Sequence, residues 1–223
     1  MADTFETTTR LKIALVTGRH PYEVPGLHDC FHARPEVLCY PQDMEDFAAN
    51  AGGYRERYDA IVFYNMHQET PGAGPEWWGQ GAREALEGLG ESEQGIVVLH
   101  HAILAYPQWP LWSEIVGIED RSFGYHIGET VRTEIANPDH PITRGLAAWE
   151  MIDETYTMND AGPGSEVLLT TDHPKSMRTL AWTREYRRAR VFCYEGGHDT
   201  RTFADPHFRT VLSRGIQWVA GRL

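Results

Sequence analysis

The stretch "GIVVLHHA", Gly95–Ala102, decides how the rest of the sequence is interpreted. Four apolar residues, three of them β-branched, run continuously and stop at two histidines. A continuous apolar run is typical of a strand that is covered on both faces, whereas a half-exposed strand alternates. Three earlier runs have the same character: "LKIALVT" (Leu11–Thr17), "EVLCY" (Glu36–Tyr40) and "DAIVFYN" (Asp59–Asn65). Together they predict the buried strands of one sheet.

The segments between these runs carry helix signals. "DMEDFAAN" (Asp43–Asn50) begins with an acidic cap, and "GQGAREALEGLG" (Gly79–Gly90) ends in a glycine that favours a helix stop. Because strands and helices alternate, the first half predicts a parallel sheet with right-handed crossover connections.

The second half of the sequence is typical of strands joined by turns, several of them antiparallel. These segments are "ETVRTEIAN", "EMIDETYTM", "SEVLLTTD", "TLAWTRE" and "ARVFCYEGG". The chain closes with a helix that begins near Asp205 and Pro206 and places its apolar residues on one face. We therefore expect a single α/β domain over residues 1–223 with an added antiparallel section, and a disordered tail over residues 1–9.

Composition and charge narrow the range of partners and locations expected for the protein. The 223 residues include 32 acidic and 20 basic side chains, a net charge of -12 that repels phosphate backbones and anionic lipids. Nucleic-acid and membrane partners are therefore not expected. No apolar run approaches the length of a membrane span, and the three cysteines show no CxxC spacing. We predict a cytoplasmic protein with buried free thiols, and a homodimer as the commonest assembly.

Polar side chains follow several of the predicted strands at the point where each strand ends. These residues are Arg19, His20, His67, His100, His101, Glu195 and His198. Because the carboxyl ends of parallel strands lie at one edge of a sheet, we expect them to meet there. Imidazole titrates near neutral pH and serves as general acid, general base or metal ligand. For His100 alone, a hydrogen-bonded structural role is an open alternative.

Successive blocks of the sequence carry a family resemblance. In order they are "GIVVLHHA", "WPLWSEIVG", "NPDHPITRGL", "IDETY", "LAWTREY", "ARVFCYEGGHD" and "GIQWVAG". From about Leu11 to Gly221 the chain resembles the ThuA-like, or trehalose-utilisation, family, and the ordered set of blocks is more specific than any one of them. The resemblance implies membership of the class I glutamine-amidotransferase-like superfamily, whose fold is a flavodoxin-like three-layer α/β sandwich with a mostly parallel sheet.

The resemblance also interprets the two histidines after the fourth strand. Amidotransferases of this superfamily carry a nucleophile elbow, Gly-x-Cys-x-Gly. Aligned on that pattern, "VLHHA" puts His100 at the cysteine and Ala102 at the second glycine. His198 matches the amidotransferase histidine by its order in the chain. Because the thiol is replaced, we predict that the protein is not a glutamine amidotransferase.

The family's association with disaccharide catabolism implies a disaccharide or an oxidised, 3-keto sugar as substrate. We predict that His100 and His198 face each other as an acid/base or ligand pair, with Glu154 of "DETY" orienting or co-ligating. Residues predicted to bind substrate or support the site are His20, Arg19, His67, His101, His126 and Glu195. The predicted activity is that of an isomerase, lyase or hydrolase using histidine and carboxylate acid–base chemistry.

Two points stay open at this stage. Either the protein requires no cofactor, or His100, His198 and Glu154 hold a divalent metal, Zn²⁺ or Mn²⁺, in an open site. The alternative to an enzyme is a non-catalytic sugar-binding or regulatory module that retains the ancestral pocket. A third interpretation is a subunit that lends its surface to an assembly, which predicts a large exposed apolar patch.

Overall fold

The computed structural model describes residues 10–49, 55–75 and 77–223, so the predicted tail lies outside the described residues. Nine strands are found in this part of the chain: β1 (Leu11–Gly18), β2 (Val37–Asp43), β3 (Ala60–Asn65), β4 (Gly95–Leu99), β5 (Gly124–Ile135), β6 (Trp149–Thr157), β7 (Glu166–Thr170), β8 (Thr179–Tyr186) and β9 (Ala189–Tyr194). The helices are α1 (Val24–His32), α2 (Met44–Ala49), α3 (Gly79–Glu87), α4 (Pro110–Val116), α5 (Thr200–Ala204) and α6 (Pro206–Val219). Short 3-10 turns span Arg55–Arg57 and His100–Leu104.

The predicted parallel sheet is confirmed. Strands β2, β1, β3, β4 and β9 are neighbours in that order, and each adjacent pair is parallel. Every residue of β4 is buried. Ile96 and Val98 pack into the core on one face of the sheet, and Val97 and Leu99 pack into the core on the other. This two-sided burial explains why the strand is apolar at every position.

The second half continues the same sheet with antiparallel strands, as predicted. The order from β9 is β8, β7, β5 and β6, so β6 forms the edge. Strand β5 pairs with β6 along almost its whole length, with a register shift between His126 and Glu129. Only two residues of β5, Glu134 and Ile135, pair with β7. Most of the β5–β6 hairpin therefore extends past the part of β5 that pairs with β7.

This hairpin returns to the residues that follow β9, although β6 is four places from β9 in the sheet. The backbone N–H of Tyr156 donates to Glu195 Oε1 at 2.9 Å. Asp153 Oδ2 accepts from the backbone N–H of Gly197 at 2.8 Å. The end of β6 is thereby fixed beside the carboxyl ends of β4 and β9.

The helices agree with the sequence in part. Helix α6 begins after Asp205, whose Oδ1 accepts from the backbone N–H groups of His207 and Phe208 at 2.8 and 3.0 Å. Helix α3 ends earlier than predicted, at Glu87, and Gly90 lies in the loop beyond it with φ +76°. Helices α1, α4 and α5 were not predicted. None of the helices in the described residues is long and apolar enough to cross a membrane.

Candidate functional site

The site is built on the turn that follows β4. Strand β4 ends at Leu99, and His100, which the sequence placed at the end of this strand, begins a 3-10 turn and has a left-handed backbone, φ +53°. Such a φ is uncommon for a residue with a side chain and is found at functional turns. The imidazole is fully buried, and its Nδ1 lies 2.7 Å from the backbone carbonyl oxygen of Glu195. Because a carbonyl only accepts, Nδ1 carries the hydrogen and Nε2 carries a lone pair.

Two other predicted residues, Glu154 and His198, lie beside His100. Glu154, on β6, places Oε1 3.6 Å from Nε2 of His100 and Oε2 3.4 Å from Nδ1 of His198. The centroids of the two imidazoles are 5.6 Å apart. The side chain of His198 is 22% exposed, against 0% for His100 and 10% for Glu154, so His198 is the member that a ligand can reach. We refer to His100, Glu154 and His198 as the central cluster.

Tyr156 contributes a hydroxyl that the sequence analysis did not identify. It lies two residues after Glu154 on β6, and its hydroxyl is 2.9 Å from His100 Nε2. Since that nitrogen carries the lone pair, the hydroxyl donates to it. Burial raises the pKa of Tyr156 well above its ordinary value, with the Glu154 carboxylate adding to the effect, so the phenol is neutral.

Asp153 positions two members of the central cluster through their backbone. Its buried carboxylate accepts three backbone N–H bonds, from Glu154 at 2.9 Å, Gly197 at 2.8 Å and His198 at 3.0 Å. The strand that carries Glu154 and the loop that carries His198 are therefore hydrogen-bonded to the same side chain. Burial raises the pKa of Asp153 to about 6, because desolvation outweighs the hydrogen bonds that favour its charged form.

Glu195, predicted as a site residue, supports the cluster and is itself buried. Its backbone oxygen fixes the tautomer of His100, and its carboxyl accepts from the backbone N–H of Tyr156. Burial raises the pKa of Glu195 well above the usual range, and the nearby Asp153 charge raises it further. Burial also lowers the pKa of His100 to about 3, so that imidazole is neutral near pH 7.

A second pair of imidazoles adjoins the cluster. The ring of His101 lies 5.3 Å from that of His100 and 4.4 Å from that of His20. His101 Nε2 lies 3.2 Å from the backbone oxygen of Tyr64, and its Nδ1 is buried without a hydrogen-bond partner in the described residues. Burial, reinforced by His100, lowers the pKa of His101 well below its ordinary value.

The chain matches a known protein family by sequence and several solved structures by fold. The family model for ThuA, described as trehalose utilisation, matches residues 48–219. The chain belongs to the ThuA family. Among solved structures, a ThuA-like protein from Parabacteroides merdae is 20% identical with a TM-score of 0.73, covering 95% of this chain and 90% of its own. A cytoplasmic protein from Salmonella typhimurium is 13% identical with a TM-score of 0.66, covering 94% and 99%.

The predicted superfamily fold is confirmed as well. A glutamine amidotransferase from Thermotoga maritima is 8% identical with a TM-score of 0.55, covering 93% of this chain and 98% of its own. At this identity the likeness shows the fold alone. No curated protein matches the chain by sequence.

In this ThuA-family chain, the residue that the resemblance aligns with the amidotransferase cysteine is His100. The cysteines of the chain lie elsewhere: Cys30 in α1, Cys39 in β2 and Cys193 in β9. Burial raises the pKa of Cys30 to about 11 and that of Cys39 to about 12, and it also raises the pKa of Cys193. All three thiols are therefore protonated and unreactive near pH 7.

Two of the predicted substrate-binding residues line a separate cleft in the ThuA fold. Arg19 and His67 border a cavity of about 270 Å³ together with Trp78, and none of the central cluster lines it. Arg19 forms an ion pair with Glu45 at 3.3 Å, and its guanidinium carbon lies 5.6 Å from the Trp78 ring centroid. His67 is buried, and its Nε2 has no hydrogen-bond partner in the described residues.

His126, the remaining predicted residue, lies on β5 opposite Thr155. Adjacent residues of a strand point to opposite faces, so a residue opposite Thr155 does not share a face with Glu154. The structure places His126 close enough to the Glu129 carboxylate to lower the pKa of that group, after the larger effect of Lys175. It does not bring His126 into the central cluster.

Proposed function

We propose that this protein is an enzyme that acts on a sugar or on an oxidised, keto form of a sugar. The proposed reaction moves a proton on a carbon beside the carbonyl group, as an isomerase or lyase does. The observation that supports this is the convergence of His100, Glu154 and His198, with Tyr156, at the carboxyl ends of buried strands. The family's description as trehalose utilisation supports a carbohydrate.

The reaction needs a group that takes the proton and a group that holds the carbonyl oxygen as negative charge develops on it. The central cluster and Tyr156 together contain both kinds. Glu154 lies between two imidazoles, 3.6 Å from one and 3.4 Å from the other, so it can exchange a proton with His198. The Tyr156 hydroxyl, now bonded to His100, can donate to an oxygen. Neither part of the reaction requires a thiol nucleophile.

Solvent-exchange measurements test this proposal. The protein is incubated with 3-keto disaccharides in D₂O, and NMR follows deuterium incorporation at the carbon next to the ketone. We expect His198→Gln and Glu154→Gln to reduce the rate at least 100-fold, since a positioned acid or base contributes roughly 10² to 10⁴. Tyr156→Phe should reduce it at least tenfold.

The control is His32→Gln, because His32 is an exposed imidazole on α1. Its rate should equal that of the wild type. The proposal fails if the wild type incorporates no deuterium from any 3-keto disaccharide tested, or if the His198 and Glu154 variants retain the wild-type rate.

A second candidate is sugar binding without catalysis, favoured by the cleft that Arg19 and His67 border. The unpartnered His67 Nε2 can bond to a sugar hydroxyl, which both donates and accepts. In that case sugars would raise the melting temperature of the wild type and of His198→Gln equally, without deuterium incorporation. His67→Phe would remove the effect.

The location, the oligomeric state and the partners of the protein are also proposals. We propose a cytoplasmic location, supported by the Salmonella typhimurium structural relative, which is described as cytoplasmic. The predicted homodimer is tested by light scattering of the purified chain, and a monomeric mass would exclude it. Binding of nucleic acid or lipid vesicles is not expected from the net charge of -12.

A further inference from the structure

We propose that His100, Glu154 and His198 bind one divalent transition-metal cation, with Zn²⁺ or Mn²⁺ as the fitting ions. The inference rests on the proposed function only for the location of the centre. The three side chains each offer one ligand atom, and these atoms all lie within 4.8 Å of one another. Two imidazoles and a carboxylate are a donor set that suits both ions.

The separations between ligand atoms match a small metal ion. Bonds of roughly 2.0–2.1 Å at tetrahedral angles place neighbouring ligand atoms about 3.3 Å apart. Glu154 Oε1 lies 3.6 Å from His100 Nε2, and Oε2 lies 3.4 Å from His198 Nδ1. Each carboxylate oxygen is thus within a few tenths of an ångström of this separation from one imidazole, and the whole set of ligand atoms, which lie within 4.8 Å of one another, would contract around the ion.

The tautomer of His100 supports the same conclusion. Its Nδ1–H donates to the Glu195 carbonyl, so its Nε2 lone pair faces the Glu154 carboxylate. These are two acceptors without a hydrogen between them. The Tyr156 hydroxyl has one hydrogen and can donate to only one of the two acceptors at a time. Metal-bound histidines usually donate their second N–H to a carbonyl or carboxylate, as His100 does here.

The charge around the centre is also suited to a cation. The carboxylates of Asp153 and Glu154 are both buried here. Three backbone N–H groups meet the Asp153 carboxylate, but the ion-pair partners of Glu154 in the described residues are the two imidazoles alone. A buried carboxylate is stable when it is paired or coordinates a metal. A divalent ion would supply the positive charge.

The exposure of His198 leaves one side of the centre open. Three protein ligands and a free position are typical of catalytic rather than structural metal sites. An ion there would polarise a sugar carbonyl or hydroxyl oxygen. Loss of Glu154 or His198 would slow proton exchange in either case, by removing the ion where one is bound and by removing a proton carrier where none is.

The test is metal binding by the full chain, purified without a histidine tag and stripped with EDTA. Zn²⁺ and Mn²⁺ are titrated by calorimetry, and Co²⁺ is added as a probe whose visible spectrum reports tetrahedral nitrogen and oxygen ligands. We expect one equivalent to bind to the wild type. Glu154→Gln and His198→Ala should each weaken binding at least tenfold, and His100→Ala should do the same where circular dichroism shows it folded.

His28 and His32 provide the matched control. Their rings lie 5.9 Å apart on α1, at a spacing that can capture a metal at the surface. Binding should be unchanged in His32→Gln. The proposal is overturned if the wild type binds less than half an equivalent, if binding survives His198→Ala, or if His32→Gln abolishes it.

The two proposals fail separately. Stoichiometric metal without deuterium incorporation would retain the metal site and refute the proposed enzyme. Deuterium incorporation that depends on His198 in protein that binds no metal would retain the enzyme and refute the metal site.

Discussion

Replacing Asp153 by asparagine should change how the stability of the protein depends on pH. Burial raises the pKa of this carboxyl to about 6 in the folded protein. In the unfolded chain an aspartate titrates near pH 3.9. Between these values the folded protein holds a proton that the unfolded chain has lost. Asp153 therefore contributes stability that is fully present below about pH 4 and is lost as the pH rises through 6.

The magnitude follows from the difference of about two pKa units. At 1.36 kcal/mol per unit, the contribution is about 3 kcal/mol. The Asp153→Asn variant has no titrating group at this position, so it lacks this pH dependence. The difference in the free energy of unfolding, wild type minus variant, should fall by about 2.5 kcal/mol between pH 4 and pH 7.5, because part of the contribution is already lost at pH 4. Titrating groups whose pKa does not depend on Asp153 cancel in this difference.

The assay is urea denaturation followed by circular dichroism at half-unit pH steps. Because the Asp153 charge contributes to the raised pKa of Glu195, the comparison is repeated in a Glu195→Gln background. Glu150→Gln, an exposed carboxylate on the same strand, is the control and should give a flat difference. A difference for Asp153→Asn that stays flat within about 0.5 kcal/mol in both backgrounds would refute the reasoning.

Two further substitutions test the backbone around the site. Gly197→Ala should lower the free energy of unfolding by about 1–3 kcal/mol and lower turnover, because the φ of Gly197 is +132° and the new Cβ would contact His100. The control is Gly145→Ala, where φ is +75° and the space around the glycine is open. It should lower the free energy of unfolding by about 1 kcal/mol and leave turnover unchanged. Equal thermal shifts and equal rates would contradict this. Arg121→Met should lower the free energy of unfolding in urea by about 3 kcal/mol or more, because the buried guanidinium donates to the carbonyl oxygens of Ala105 and Tyr106. A decrease of less than about 1 kcal/mol would show that water takes over these hydrogen bonds.

The parallel half of the fold was predictable because two-sided burial leaves a direct mark on composition. The run Gly95–Leu99 is apolar at every position, and the structure covers both of its faces. The convergence of strand ends followed from topology, which is why His100 and His198 were expected together. A turn at His100 was implied by the resemblance to the nucleophile elbow, and the structure gives that turn a left-handed backbone, φ +53°.

The contribution of β6 was harder to predict. Strand pattern identified the segment around Glu154, but pattern says nothing about how far a hairpin bends out of its sheet. The bonds that bring it back join a side chain to a distant backbone group, as Asp153 does to Gly197. Such contacts depend on tertiary packing. Helices α1 and α4 were missed for a related reason: each is short and contains a proline, and tertiary contacts stabilise it.

The β5–β6 hairpin can open without the rest of the sheet, and it carries part of the proposed active site. The end of the hairpin remote from its connecting loop is joined to the residues that follow β9 by a few hydrogen bonds, notably those of Asp153 and Tyr156, and not by ladder pairing. A local opening that breaks these bonds would remove Glu154 from its two imidazole neighbours while the parallel half stays intact. Amide hydrogen exchange in residues 124–157 should then be faster than in β4, and inactivation on warming should precede the loss of helical signal.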